Sequence, residues 1–364
     1  MQRLRQTLPA PHRYRFLAVK RRQTCEYQSE TRHVKIESSH RRMQECKHGV
    51  VGRANFFDAG NNVAGSQHGL RSVSPRYYIL VGSQLTVPEL AAEALGSFLA
   101  SDMKRRFGSS QARLTEVIPS VARLSLECIG NSDALYHNVE HTMLVTLAGH
   151  DIMKGRALVS PTLPNDYAHL IVACLIHDIG YVRGILKGDA ADGYVVDESG
   201  RKVRLPRGSS DAALAPYHVD RSKLFVQDRV AAIEGLDAER IVRAVECSRF
   251  PVTALVDAKD TDEEGSLLRA ADLIGQLGDP QYLRKANALY YEFEEVGMNK
   301  QLGYDSPTDI IDRYPQFYWN NVSPYIQTAI RYLNVTSSGR QWIANLYSNI
   351  FRAERNHDLS GPQH

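Results

Sequence analysis

Cysteine is scarce in this chain, and its spacing gives no sign of a disulfide framework. The 364 residues include five cysteines, and none of them forms a CxxC pair. Their number is odd, and Cys128 and Cys174 stand in apolar sequence with helical spacing. The simplest interpretation is a reduced, intracellular protein, and we expect it in the cytoplasm.

Long hydrophobic runs are absent as well. The run from Leu170 to Ile176 has the length of a buried helix segment, far short of the roughly 20 apolar residues that span a bilayer. We therefore expect no membrane partner. Because 43% of the residues are hydrophobic, the chain can still bury a sizeable core.

Acidic residues are missing from the start of the chain, where none precedes Glu26. Residues 1–55 carry 13 Lys and Arg against 4 Asp and Glu, whereas the whole chain has a net charge of only +3. Such a basic arm could bind nucleic acid or anionic lipid, or act as a transit peptide. Its weak periodicity and scattered Gly, Ser and Gln favour a disordered arm over residues 1–80, so nucleic acid is not an expected partner.

Helical signals begin after this arm. Thr86-Val87-Pro88-Glu89 is a capping box with a proline in the first turn of the helix that follows. Apolar residues at helical spacing then recur almost to the end of the chain. We therefore predict an all-α fold, one domain over residues 81–358 that forms a bundle of about ten helices.

A Gly- and Pro-rich stretch between Val182 and Pro216 interrupts the helical pattern. Within it, Tyr194–Val196 and Lys202–Leu205 flank the turn residues 197–200. This arrangement predicts a small β-hairpin inserted between helices. Such an insertion could act as a lid over a site or be a surface decoration.

Residues with metal-ligand chemistry occur at three places in the predicted domain. The segment Tyr136-His137-Asn138-Val139-Glu140-His141 supplies two histidines, His177-Asp178 ends an apolar helix, and Asp272 lies in another apolar stretch. A carboxylate in such a stretch is costly to bury unless a bound metal or a salt bridge, for example with Arg269, compensates its charge. Neutral imidazoles and carboxylates together suit a catalytic divalent metal with open water positions.

These motifs resemble the HD-domain metal-dependent phosphohydrolases. Tyr136-His137-Asn138-x-x-His141 is similar to the corresponding element of the cyclic-nucleotide phosphodiesterase branch. The stretch from Ala173 to Tyr181 is similar to the HD motif of both that branch and the HD-GYP branch. The resemblance covers about Leu85 to Glu354 and implies that the helical bundle is a single HD domain.

The resemblance also implies roles for individual residues. His141, His177, Asp178 and Asp272 would be the ligands of a first divalent ion, and Asp178 would bridge to a second. His137 would be the general acid that protonates the leaving oxygen.

A second ion is implied by less complete motifs. His218 begins a segment that resembles a His-Pro-x-x-Gly element, although Val219 and Ser222 replace the Pro and the Gly. Glu246 stands where the HD-GYP branch has His-His-Glu, but both histidines are missing. His218 and Glu246 are the expected ligands of this second ion.

One phosphate contact of the HD-GYP branch is also replaced. Tyr181 occupies the place where many of those proteins have a lysine. Arg183, Lys187 and Arg221 are candidates to contact phosphate in its stead.

The resemblance therefore implies a metal-dependent phosphohydrolase that uses metal-activated water on a phosphoester, a cyclic nucleotide or a nucleotide. The expected cofactor is one divalent ion, with a second left open, and Zn, Mn, Fe and Mg are not distinguished. One alternative is a nucleotide phosphohydrolase without cyclic-ester specificity, and another is a non-catalytic, metal-containing regulatory or sensing module. A homodimer stays open.

Overall fold

The computed structural model describes residues 86–108, 111–250, 261 and 263–359, all of which lie in one unit, Tyr78–His364. The predicted disordered arm, residues 1–80, falls outside the described residues.

Thirteen α-helices make up most of the described residues. Four of them precede the hairpin: α1 Val87–Phe107, α2 Ala112–Ile129, α3 Val139–Val159 and α4 Pro164–Ile176. Nine follow it: α5 His218–Phe225, α6 Ala238–Glu246, α7 Glu264–Leu277, α8 Tyr282–Glu295, α9 Met298–Leu302, α10 Pro307–Asp312, α11 Tyr314–Phe317, α12 Ser323–Leu333 and α13 Ser337–Leu359. The all-α prediction is confirmed. Within the described part of the chain, no helix has the length and apolarity to cross a membrane.

The helix count exceeds the predicted ten for local reasons. The sequence interpretation missed two short helices, α9 and α10. In addition, the apolar spacing predicts a single helix over about Gln316–Leu333, whereas a π-helical segment at Tyr318–Val322 separates α11 from α12.

The local signals act as the sequence predicts. The Thr86 hydroxyl accepts a hydrogen bond from the backbone of Glu89, and the Glu89 carboxylate accepts one from the backbone of Thr86 at 2.7 Å, which completes the capping box of α1. The hairpin is present as β1 Tyr194–Val195 and β2 Lys202–Val203, an antiparallel pair. Its strands are shorter than predicted.

Helix α4 lies at the centre of the domain. Every residue from Tyr167 to Ile176 is buried, and the helix packs against α2, α3, α6 and α7. A helix that is apolar on all sides has to be buried among other elements. The His177-Asp178 doublet therefore comes directly after a helix that is enclosed by other helices.

Two glycines let α3, α4 and α7 approach each other closely. A Cβ on Gly149 of α3 would lie 2.7 Å from the Cys174 sulfur of α4. A Cβ on Gly275 of α7 would lie 2.7 Å from the Val145 Cα of α3. Contacts this short are too close for a methyl group, so the two glycines set the spacing of the helices that carry His141, His177 and Asp272.

Gly275→Ala is expected to destabilise the protein by about 1–3 kcal/mol, because the added methyl group overpacks the α3–α7 contact. The direction of the change in stability is informative, because replacing Gly by Ala in an unconstrained helix stabilises a protein by about 0.5–1 kcal/mol. Chemical denaturation measures the effect. Ser348→Ala, on an exposed position of α13, is the control and should change stability by less than about 0.5 kcal/mol. A more stable Gly275→Ala protein would contradict the close-packing argument.

Candidate metal site

The first two histidines lie on either side of a helix start. Asn138 is the N-cap of α3, and its side-chain oxygen accepts from the backbone N–H groups of Glu140 and His141 at 2.9 and 3.3 Å. His141 is thus in the first turn of α3, whereas His137 precedes the helix. The four-residue spacing of His137 and His141 predicts that one helix carries both on a shared face, and this prediction is wrong because the helix begins between them.

The turn that follows α4 holds the doublet. His177 is the C-cap of α4, and Asp178 leads into a 3₁₀ turn at Ile179–Tyr181. Ser222, on α5, fixes this turn from the side: its hydroxyl donates to the carbonyl of His177 at 2.7 Å and accepts from the N–H of Gly180 at 2.9 Å. The carbonyl that α4 leaves without an intrahelical partner is therefore satisfied by a buried serine.

Arg221 links the same turn to the hairpin by hydrogen bonds. Its guanidinium is fully buried and donates to the carbonyls of Gly180, Val182 and Val195, and it pairs with Asp189 at 2.9 Å. The backbone of the turn also lies directly against the backbone of α5, since a Cβ on Gly180 would lie 1.9 Å from the His218 carbonyl oxygen. Helix α5 and the turn are therefore held in one fixed relation.

Four potential ligand atoms converge at this end of the bundle. Asp178 Oδ2 lies 3.1 Å from both His141 Nε2 and His177 Nε2, and Asp272 Oδ1 lies 3.4 and 3.6 Å from the same two nitrogens. His141, His177 and Asp178 are buried, and the Asp272 side chain is 22% exposed. The cluster is therefore an enclosed group of donors with its more open side at Asp272.

The spacing of these atoms fits a metal better than it fits hydrogen bonds. His141 Nε2, His177 Nε2 and Asp178 Oδ2 have no hydrogen-bond partner within the described structure. Tetrahedral ligands about 2.0–2.1 Å from an ion stand about 3.3–3.4 Å from each other, close to the observed separations. Buried polar atoms without a partner are costly, and an ion at their centre would satisfy all of them. Two groups among the described residues could hold a metal ion: His141, His177 and Asp272, and His137, His141 and Asp178.

Two histidines are oriented in the same way. His177 Nδ1 contacts the Cys174 carbonyl at 2.9 Å, and His218 Nδ1 contacts the Ala215 carbonyl at 2.6 Å. Each carbonyl accepts the Nδ1–H, which leaves the lone pair on Nε2. Such outer hydrogen bonds are typical of histidines that bind metals.

The cluster is electrostatically coupled. Burial by itself would raise the pKa of Asp178 and Asp272, but the facing imidazoles hold both pKa values below the ordinary range. Burial would likewise lower the pKa of His177, yet the charge of Asp178 raises it well above the usual value. The carboxylates therefore stay ionised in a buried place, as metal ligands must.

His137 has a partner that sequence reasoning missed. Glu292, buried on α8, accepts from the backbone N–H groups of Tyr136 and His137 at 2.6 and 3.2 Å, and its other oxygen contacts His137 Nδ1 at 2.5 Å. Burial opposes protonation, but the Glu292 carboxylate raises the pKa of His137 to about 9. Glu140, the carboxylate that lies between the two histidines in the sequence, is 59% exposed and pairs with Lys285.

Tyr181 lies between two of these histidines. Its ring stacks on His137 at 4.5 Å between centroids and on His218 at 4.6 Å, with interplanar angles of 11° and 23°. Only 5% of Tyr181 is exposed. The residue in the place of the HD-GYP lysine therefore fills the space between the two imidazoles.

The two residues expected at a second ion have different surroundings. His218 is beside the cluster, with Nε2 3.6 Å from Asp178 Oδ1, the other oxygen of the carboxylate that faces His141 and His177. Glu246 belongs to a separate network, where its oxygens accept from Lys223 at 2.7 Å and Arg249 at 2.6 Å. The structure does not bring Glu246 into either potential metal group of the described residues, so its assignment as a ligand is not supported.

The arginines considered as phosphate contacts are already engaged. Arg221 holds the turn, and Arg183 pairs with Asp133 and Asp211 and donates to the Ser209 carbonyl. Arg269, the alternative partner of Asp272, instead donates to the Cys247 carbonyl and lies over the Tyr325 ring. These three guanidinium groups therefore have structural partners.

Fold and site together define the class of protein: an all-α domain with buried His and Asp groups that could hold a metal ion. A family model described as Npun_R2479-like matches residues 85–356, which is most of the chain, and the chain belongs to this family. A comparison with curated proteins gave no match. The family description names no activity, so function has to be argued from the chemistry of the site.

Ser222→Ala should weaken metal binding, because it releases the His177 carbonyl and the Gly180 N–H from the turn. Loss of a supporting hydrogen bond outside the ligands typically costs about 10- to 100-fold in metal affinity. Ser248→Ala is a matched control, since Ser248 is also buried and donates to a carbonyl, that of Val245, at 2.8 Å. Titration with Zn²⁺ measures both. Equal affinities in the two variants would show that the turn does not depend on Ser222.

Proposed function

We propose that this chain is a metal-dependent phosphohydrolase of the HD-domain type, which hydrolyses a phosphoester such as a cyclic nucleotide or a nucleotide. The observation that carries the proposal is the convergence of His141, His177, Asp178 and Asp272 next to His137, a histidine with its own carboxylate partner. One set of residues is suited to hold an ion and the adjacent one to move a proton.

The donor set fits a divalent ion. Two neutral imidazoles and two carboxylates bring a charge of −2, which a divalent ion neutralises in a buried place. When bound there, such an ion supplies a Lewis acid that lowers the pKa of water and stabilises charge on a phosphoryl oxygen. The expected ligands are His141, His177, Asp178 and Asp272, and His218 is the protein group that could help to hold a second ion on the Asp178 Oδ1 side.

His137 is suited to the role of general acid. Glu292 accepts the Nδ1–H and stabilises the positive charge of the protonated ring, so Nε2 is the nitrogen that can give up a proton. A proton passed from Nε2 to the leaving oxygen leaves a neutral ring that keeps its Nδ1–H on Glu292. Glu292 also holds the backbone of His137, which fixes the position of the ring.

The same pair argues against the non-catalytic alternative. A module that only senses or binds a metal has no need of a buried histidine–carboxylate pair beside the ligands. An assay with cyclic nucleotides, nucleotides and a generic phosphodiester, each with and without added Zn²⁺, Mn²⁺ or Mg²⁺, separates the three functions. Hydrolysis of none of them by metal-loaded protein would contradict the proposed function.

His177→Ala and Asp178→Ala are expected to lose most of the bound metal, since each removes a ligand from a buried group of four. Elemental analysis of the dialysed proteins measures the metal per chain. Glu246→Gln is the control and should keep the metal, because Glu246 lies in the network with Lys223 and Arg249. Full metal occupancy in both ligand variants would refute the site.

His137→Asn and Glu292→Gln should keep the metal but slow the reaction. We expect a loss of about 10²- to 10⁴-fold for His137→Asn on a diester with a poor leaving group, because that oxygen needs a proton as it departs. An aryl phosphodiester, whose leaving group needs little protonation, should lose much less. Steady-state rates on the two substrates give the comparison. An equal loss on both would indicate positioning only, and loss of metal would make His137 a ligand.

A further inference from the structure

Tyr181 is a buried residue close to the reacting groups that the proposed mechanism does not use. Its backbone is fixed by the 3₁₀ turn, where its N–H donates to the Asp178 carbonyl at 3.1 Å. Its ring faces His137 almost in parallel, and the opposite face is covered by His218. The ring is therefore held by the metal-binding turn on one side and by α5 on the other.

His137 has few other restraints. Its Nδ1 is held by Glu292, but one hydrogen bond leaves the ring free to tilt about that contact. The rings of Tyr136 and His141 touch it only edge-on, at 5.3 Å each, with interplanar angles of 73° and 79°. Among the described contacts, Tyr181 supplies the face-on one, at 4.5 Å. The flat face of the Tyr181 ring limits tilting of the His137 ring and so fixes the direction in which Nε2 points.

We propose that Tyr181 is a positioning residue, whose ring, backed by His218, keeps the His137 imidazole in the orientation that delivers its proton to the leaving oxygen. The role belongs to the aromatic ring. It rests on the proposed function for its catalytic consequence, although the orientation of His137 can be measured without turnover. It also gives His218 a task that does not require it to bind an ion.

The proposal predicts different effects for two substitutions at position 181. Tyr181→Phe keeps the ring and removes the hydroxyl, whereas Tyr181→Leu keeps an apolar side chain and removes the stacking surface. Ring currents from an aromatic neighbour shift the signals of protons above its face. The His137 ring signals should therefore lie upfield in the wild type and in Tyr181→Phe, and should move back and broaden in Tyr181→Leu.

The experiment combines side-chain NMR with kinetics on the full chain. Protein labelled at histidine ring carbons is recorded metal-free and loaded with Zn²⁺, and His137→Asn identifies the His137 signal. His150 is an internal control, since its aromatic neighbours are Phe98 and Tyr167 and not Tyr181. Rates are then measured on a diester with a poor leaving group and on an aryl phosphodiester, together with the metal content.

The expected result is a selective loss in Tyr181→Leu. Misplacement of a catalytic group by about 1 Å can cost about 10²-fold, and we expect a loss of that order on the poor leaving group, a much smaller loss on the aryl diester and unchanged metal content. Tyr181→Phe should restore both the upfield shift and the leaving-group dependence of the wild type.

Other results would overturn the proposal. A His137 signal that moves back in Tyr181→Leu but stays as sharp as in the wild type would show that the stack does not orient the ring, because loss of the ring current alone moves the signal. Equal losses on both substrates, or loss of metal, would assign Tyr181 to the stability of the turn. If metal-loaded wild type hydrolyses neither probe, the proposed function fails, and the NMR comparison still decides whether Tyr181 orients His137.

Discussion

The arrangement of the site depends on how the turn after α4 is held. His177 and Asp178 are neighbours in the chain, and their side chains can meet one ion only if the backbone between them is fixed. Ser222 and Arg221 do this from α5, since between them they engage the carbonyls of His177, Gly180 and Val182 and the N–H of Gly180. Gly180 permits the approach, because any side chain there would collide with α5.

The close packing of this turn and the helices around it brings buried polar groups together. Burying a carboxylate without compensation is unfavourable, and Asp178 Oδ2 has no hydrogen-bond partner among the described residues. Close packing at Gly149 and Gly275 keeps α3, α4 and α7 at the spacing where the two imidazole nitrogens lie 3.1–3.6 Å from the two carboxylate oxygens. The fold thus maintains a group of atoms that a divalent ion would stabilise.

Much of this could be predicted from the sequence, and the misses have physical reasons. The capping box at Thr86, the apolar α4 with a doublet at its end and the hairpin all follow from local signals. Glu292 was missed because its partner His137 is 155 residues away in the sequence. The sequence signal that could have found it is a charged residue three positions after Leu289, on the buried face of α8. The prediction of Glu246 as a ligand rests on its position in a motif, whereas the structure pairs it with its near neighbour Arg249, whose charge neutralises it.

The candidate metal ligands and His137 are held by different elements, so each can be changed by substitutions that leave the other in place. The four candidate ligand atoms come from α3, the end of α4, the turn after it and α7, whereas His137 lies before α3 and is held by α8 through Glu292. Tyr181 is the contact that joins them, since it belongs to the turn yet covers the face of His137. Under the proposed function, changes in α8 or Tyr181 would therefore affect proton transfer while the candidate ligands stay in place, and changes in α5 would affect the ion site while Glu292 still holds His137.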